Sequence, residues 1–229
     1  MMDEKTGTDE KAGLATQAML TSLYWIYDRV MSRKAAPGAS TPPGSEADIA
    51  AMIRRAAGQA GTVGFAANMG GLLTLPFALP VNLAGVSTLQ INLIQDIARA
   101  RGYDLHSEQV RTLTVACLAG TAVLDVLKSA GVGVGMRLTR QAVLGLSGAV
   151  LTRINQALAG RLAMMAGASG AVMLARVVPF VGGAISGTVD GLATAAVGAA
   201  AKRVFVRQAG ATDGEPSAAP LSLPAPVQS

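Results

Sequence analysis

His106 and Cys117 are the only imidazole and the only thiol in 229 residues. A structural zinc site takes four Cys or His ligands, so no such set can be assembled from this chain. A Ser-His-Asp triad would have to use His106, which stands in a loop-like GYDLHSEQ with no nucleophile elbow nearby. A solvated or capping side chain accounts for it. No GxxxxGK[ST] loop occurs, and GVGVGM at 131–136 lacks the third glycine of a dinucleotide fingerprint. The expectation is a non-enzymatic protein with no catalytic residue, metal or cofactor. One cysteine cannot form an internal disulfide, which fits a reducing compartment.

Polar groups in apolar surroundings remain. Asp190 lies among Ala and Gly, with Ser186 and Thr194 one turn away on either side and Arg176 the nearest charge in sequence. A charge in such a setting needs a partner. One reading is a buried polar network between helices; the other is contact with a ligand or headgroup. Asn82, two residues after Pro80, either caps a helix or lines a cavity. Gln90 falls on an apolar helix side and needs a hydrogen-bond partner if buried. Asp125 shares a polar face with Arg111 and Lys128, as in a plain surface pair.

The elements that would position these groups are helices. Aromatics are 3% of a chain that is 51% hydrophobic, so Ala and Gly supply much of its apolar character, and runs of strand type are scarce. Residues 1–12 are expected to be disordered. Leu20, Leu23, Tyr24, Tyr27, Val30 and Met31 repeat at helical spacing, which predicts a helix over 13–32. Trp25 lies off that stripe, as an interfacial anchor or a partly exposed packing residue. RKAAPGASTPPG, 33–44, is a linker, and Ser45 with Asp48 starts a helix expected to end near Gly58. A short helix over 61–71 and a break at Pro76 follow, then a helix from Pro80 to Arg101. That helix has a polar stripe of Asn92, Gln95, Asp96 and Arg99, with Leu89, Leu93 and Ile97 opposite. Ser107 would cap a water-edged helix over 108–130. Further helices are expected at 136–146, 148–159 and 160–175. In a last helix over 183–206, Gly183, Gly187, Gly191, Ala195 and Ala199 recur every four residues, a ridge that would let a partner helix come close. The domain would span 13–208, with a mobile Pro/Ala/Ser tail at 209–229.

Charge is unevenly distributed. Ala56 to Gln95, forty residues, carry no charged side chain, whereas Lys128 to Arg207 hold nine Lys or Arg against one acid, Asp190. Anionic lipid headgroups attract basic residues at about 1 kcal/mol each. Nucleic acid would also suit the charge, but bases need aromatic platforms and reading motifs, and neither is present. The membrane or ligand contacts expected are Leu72, Leu73, Leu75, Pro76, Phe77 and Pro80 in a broken hairpin, with Arg137, Arg140, Arg153 and Arg161 as cations. The N-terminus MMDEKTGTDEK lacks the basic start and apolar core of a signal peptide, so the cytosolic side of a membrane is expected.

GTVGFAANMGGLLTLPFALPVNL, GYDLHSEQVRTLTVACLAG, LKSAGVGVG, LTRINQALAGRL and VVPFVGGAISGTVDGLATAAVG follow one another between residues 14 and 206. In that order they resemble bacterial EcsC-type proteins, a family named from a gene beside an ABC transporter operon. The resemblance implies a helical, membrane-associated protein with no established catalytic activity. It supplies no catalytic residue.

Taken together, the expectation is an all-α, Gly/Ala-rich multi-helix bundle broken at Gly/Pro motifs. It would bind an anionic membrane as a peripheral or partly inserted protein, and act as an adaptor for a transporter or secretion component. The competing expectation is a soluble bundle holding a lipid or other apolar ligand in an internal pocket, favoured by the polar stripes on 82–101 and 108–130.

Overall fold

The computed structural model describes residues 3–34, 45–67, 75–133, 140–168 and 181–206. The fold is all-α: α1 (Asp3–Lys34), α2 (Glu46–Ala67), α3 (Leu75–Ala100), α4 (Glu108–Cys117), α5 (Val123–Ser129), α6 (Arg140–Leu144), α7 (Gly148–Ala168) and α8 (Val181–Val204). A 3-10 turn, Gly120–Ala122, joins α4 to α5.

The centre of the bundle is an antiparallel pair, α2 against α8, with α3 packed on both. Glycines set the separation. A Cβ added to Gly187 would lie 2.6 Å from the Gly61 carbonyl oxygen, and one on Gly191 3.2 Å from the Ala57 carbonyl. Towards the other end, Gly198 abuts the Ile53 side chain. The contact line therefore passes through Gly187, Gly191 and Gly198. Ala199, expected on the same ridge, is exposed. Helix geometry explains the shift. Each step of four residues overshoots a full turn by about 40°, so a strict four-residue repeat winds off the contact face within a few turns.

Two expected breaks are absent. α2 runs through Gly58, Gly61 and Gly64. Each glycine costs a helix about 1 kcal/mol relative to alanine, and the close packing of Gly61 and Gly64 on α8 offsets that. α3 begins at Leu75, so Pro76 occupies its first turn, where no backbone donor is needed, and Pro80 lies inside the helix rather than at its start. α7 likewise passes through Gly160, and α1 begins at Asp3 rather than at 13.

One additional break is present. α4 ends at Cys117, because Gly120 takes φ +58°, a left-handed conformation that stops an α-helix. Gly102, at φ +79°, ends α3 as expected, and the Ser107 hydroxyl accepts from the Val110 N–H at the start of α4. Around the central three helices, α1 packs on α3, α4 and α7, and α7 packs on α4 and α5. The core runs through Ile94, Ile97, Leu113, Val123, Leu127, Ile154, Leu158 and Phe205, all buried.

The expected water-edged stripes are partly internal. Gln95 is fully buried, its Nε2 donating to the Tyr27 carbonyl oxygen at 3.2 Å. Thr114 is fully buried as well, because α1 and α7 cover α4. Thr121, Asp125 and Lys128 face solvent. Arg111 pairs with Asp28 of α1 at 2.7 Å, not with Asp125, and its guanidinium lies 4.6 Å from the Tyr24 ring centroid.

Candidate functional site

The central helices carry opposite character at their two ends. At one end stand the start of α2 and the ends of α3 and α8. Glu46 bridges Arg101 of α3 and Lys202 of α8, the latter at 3.0 Å. Its hydrogen bond with Lys202, joined by the charge of Arg101, holds the Glu46 carboxyl below its ordinary value. The Ser45–Asp48 capping box closes the α2 terminus here, with Ser45 Oγ donating to Asp48 Oδ2 at 2.7 Å.

At the other end stand the last turns of α2 and the first turns of α3 and α8. The pairing of Gly61 with Gly187 and of Gly64 with Asp190 and Ser186 places these turns side by side. From Ala56 onward α2 is uncharged, as is α3 as far as Gln95, and Asp190 is the sole charged residue of α8 before Lys202. The outward face here is mixed, with Gln59, Thr62 and Thr188 exposed among apolar residues. Leu192 is 67% exposed and Val189, exposed as well, stands three residues before it; Phe65, exposed on α2, is level with Gly187, more than a turn further towards this end. An exposed Leu alone is ordinary, but three large apolar side chains are exposed on two paired helices whose sole charge here is Asp190.

Within this end two polar pairs are partly withdrawn from solvent. Ser186 and Thr194 are buried. Ser186 Oγ donates to Asp190 Oδ2 at 3.4 Å, and Gln90 Nε2 donates to Thr194 Oγ1 at 3.2 Å. Gln90 thus has the partner its position demands. Gly64 is needed beside Asp190, since a Cβ there would collide with the carboxylate.

Other sequence-singled residues are distributed differently. Leu72, Leu73, Arg137 and Arg176 lie outside the described residues. So do the side chains of Leu75, Pro76, Phe77, Pro80, Asn82 and Arg140, whose backbones belong to α3 and α6, and Gly183 contributes only backbone to α8. Arg153 and Arg161 are exposed on α7, which packs on α1, α4 and α5, away from the α2–α8 pair.

His106 is exposed, its backbone N–H donating to Asp104 Oδ1 at 2.9 Å. Cys117 is buried in the core, where burial pushes its thiol pKa well up and keeps it from acting as a nucleophile. Among the described residues no three of His, Cys, Asp and Glu are grouped to hold a metal.

No family model, curated protein or solved structure matches this chain.

Three surface clefts of about 250, 340 and 350 Å³ are open to solvent, between α2 and α3, between α1 and α7, and beside Arg111. Arg55, Gln59, Asn92 and Asp96 share the lining of the first with Met52, Leu89 and Leu93, and Thr21, Tyr24, Asn155 and Gln156 that of the second with Leu20, so both mix polar groups with apolar ones.

Two features were not anticipated from sequence. Arg54 and Arg55 stand in mid-helix, since α2 continues for three more turns, past the end expected near Gly58. Glu46, two residues before the capping aspartate, is the residue that ties the three central helices at their charged end.

Proposed function

We propose that this chain is a non-enzymatic, membrane-associated helical protein that inserts its uncharged end into the cytosolic leaflet of an anionic membrane. The observation that carries this is the charge partition along α2, α3 and α8, with Phe65, Val189 and Leu192 exposed along the stretch where Asp190 is the sole charge.

Depth supports attachment from one side. The uncharged part of α2, Ala56–Ala67, is about 18 Å long. One leaflet of hydrocarbon is about 15 Å thick, half the bilayer core. One helix among the described residues, Ala184–Val204, is long and apolar enough to cross a membrane by length and composition. It is the helix that α2, α3, α4 and the 3-10 turn pack against, so its role in the bundle is central packing. The two polar pairs are compatible with lipid only because they are internally satisfied, as hydrogen-bonding groups facing hydrocarbon must be. The EcsC-type resemblance adds a partner class, a transporter or secretion component for which the protein would serve as an adaptor at the inner membrane.

Vesicle flotation tests the insertion. The wild-type chain should float with vesicles of phosphatidylcholine mixed with phosphatidylglycerol. The double variant Phe65→Glu, Leu192→Glu should stay behind while keeping its helical circular dichroism and unfolding temperature, since both side chains are exposed. A wild-type protein that never floats would end this proposal.

A further inference from the structure

The cleft between α2 and α3 holds a cation and an anion together. Arg55 of α2 and Asp96 of α3 both line its space of about 250 Å³, with the side-chain amides of Gln59 and Asn92 beside them and Leu89 and Leu93 as apolar wall. The polar groups differ in what they offer. A guanidinium only donates hydrogen bonds, a carboxylate only accepts them, and an amide does both. Arg55 is exposed and forms no ion pair among the described residues, whereas Arg101, Arg111 and Lys202 are engaged by carboxylates. Asp96 is half-buried and has an interaction of its own. A carboxylate has about four acceptor positions, so an existing contact leaves room for a further donor.

The register of the two helices orders these charges. A Cβ on Gly85 would lie 3.5 Å from Val63 Cγ1, which sets Val63 opposite Gly85 in an antiparallel pair. Eight residues back along α2 is Arg55, and eight residues on along α3 is Leu93. Asp96 therefore stands three residues, about 4.5 Å, further from the apolar end than Arg55. Arg55 is the last charge on α2 and Asp96 the first on α3, so the cleft opens where the uncharged stretch finishes. Along α2, Arg55 is ten residues from Phe65, about 15 Å, close to one leaflet of hydrocarbon.

We propose that this cleft binds the zwitterionic headgroup of an ethanolamine phospholipid, with its phosphate on Arg55 and its primary ammonium on Asp96. The inference rests on the membrane reading above and names the lipid class that the inserted protein selects. The order of charges along the helices matches the order in the lipid. A phosphate lies nearer the acyl chains, and the ammonium follows after an ester oxygen and two carbons, a span of the same order as the step from Arg55 to Asp96. The guanidinium fork meets a phosphate with two parallel N–H bonds. A primary ammonium has three donors, enough for Asp96 and for an amide oxygen of Asn92 or Gln59. A choline headgroup carries the same two charges but has no N–H to give, so the acceptors of this cleft discriminate against it. A headgroup with a phosphate and no cation would meet repulsion from Asp96.

Two titrations of the full chain test the site. In the first, vesicles keep a constant share of phosphatidylglycerol while their phosphatidylcholine is exchanged for phosphatidylethanolamine. Wild type should bind the ethanolamine vesicles roughly five-fold more tightly, the size of one partly exposed charge pair. Asp96→Asn should abolish that preference. Asp125→Asn, which makes the same change of net charge at an exposed position on α5, should keep it. The second titration removes the bilayer and adds glycerophosphoethanolamine or glycerophosphocholine to isotope-labelled protein. The ethanolamine compound should shift the side-chain amide resonances of Gln59 and Asn92 more than the choline compound does. Arg55→Gln should suppress the shift and Arg55→Lys should restore part of it, while Arg54→Gln, outside the cleft lining, should leave it unchanged. If wild type binds both kinds of vesicle equally, or Asp96→Asn keeps the preference, the headgroup site is wrong and the membrane reading stands. Amide resonances that do not respond would also overturn the site. If wild type binds no vesicle yet its amides respond to glycerophosphoethanolamine, the cleft takes a soluble zwitterion, and both the membrane reading and the lipid assignment fall.

Discussion

Gly187 shows how little room the central interface leaves. The nearest atom to an added methyl would be the Gly61 carbonyl oxygen at 2.6 Å, a backbone atom that cannot swing aside as a side chain would. Even alanine must therefore push α2 and α8 apart. Gly187→Ala should destabilise the fold by about 1–3 kcal/mol and Gly187→Leu by more, read as a lowered unfolding temperature. Gly58 is the internal control. Nothing lies within 4 Å of a Cβ there, so Gly58→Ala should be neutral or slightly stabilising through helix propensity. Equal behaviour of the two positions would mean that glycines do not set the helix separation.

Among the helices, the junction of α2, α3 and α8 at the charged end is electrostatic. Glu46 binds Arg101 and Lys202 together, and its side chain remains half exposed, so the linkage is screened by solvent. Hydrogen bonding and these charges lower its carboxyl pKa from 4.5. The sign follows from linkage. A carboxyl depressed in the folded state stabilises above its unfolded pKa, and that contribution disappears as pH falls through the folded value. Wild type should exceed Glu46→Gln in unfolding temperature at neutral pH, and the difference should close as pH falls below the ordinary carboxyl range. A difference that persists in acid would assign the residue's effect to packing or capping instead. α1 and α7 are held by different means. Tyr24 donates to Asn155 Oδ1 and Tyr27 to the Leu105 carbonyl, both at 2.6 Å, so the aromatic residues of α1 anchor it through hydroxyl groups as well as rings.

For the molecule as a whole, the decisive property is its axial polarity. The protein is not amphipathic around its circumference alone. Over about one leaflet its three central helices carry a single charge, Asp190, and beyond it they carry the Glu46–Arg101 and Glu46–Lys202 ion pairs. Such a body should enter a membrane end-on. Two tryptophan positions report the orientation. Trp25 is exposed on α1, two residues from Tyr27, whose carbonyl accepts from Gln95 where the uncharged part of α3 finishes. Phe65→Trp, in a Trp25→Phe background, would stand nearer the apolar tip, level with Gly187 in the first turns of α8. Lipids brominated deep in their chains should quench the tryptophan at 65 more strongly than the native one at 25. Equal or reversed quenching would mean that the protein does not enter by this end. A shallow position for Trp25 would suit the interfacial preference of its ring.

Helical class, the Ser107 cap, the Gly102 stop and the need of Gln90 for a partner were legible in the chain itself. Each depends on local spacing or on the chemistry of one residue, and both travel with the sequence. The close approach at Gly187 and Gly191 was legible too, because small residues one turn apart have few other uses. What tertiary structure decided was which local rules would be overridden. Gly58 and Pro80 count as breakers only when nothing compensates them, and whether α8 lies alongside cannot be read from α2. Gln95 and Thr114 follow the pattern of a wet face, yet neighbouring helices cover them. Above all, the forty uncharged residues run along the chain, whereas the apolar end is a place in space. It exists because antiparallel packing brings the last turns of α2 beside the first turns of α8, which follow it by more than a hundred residues.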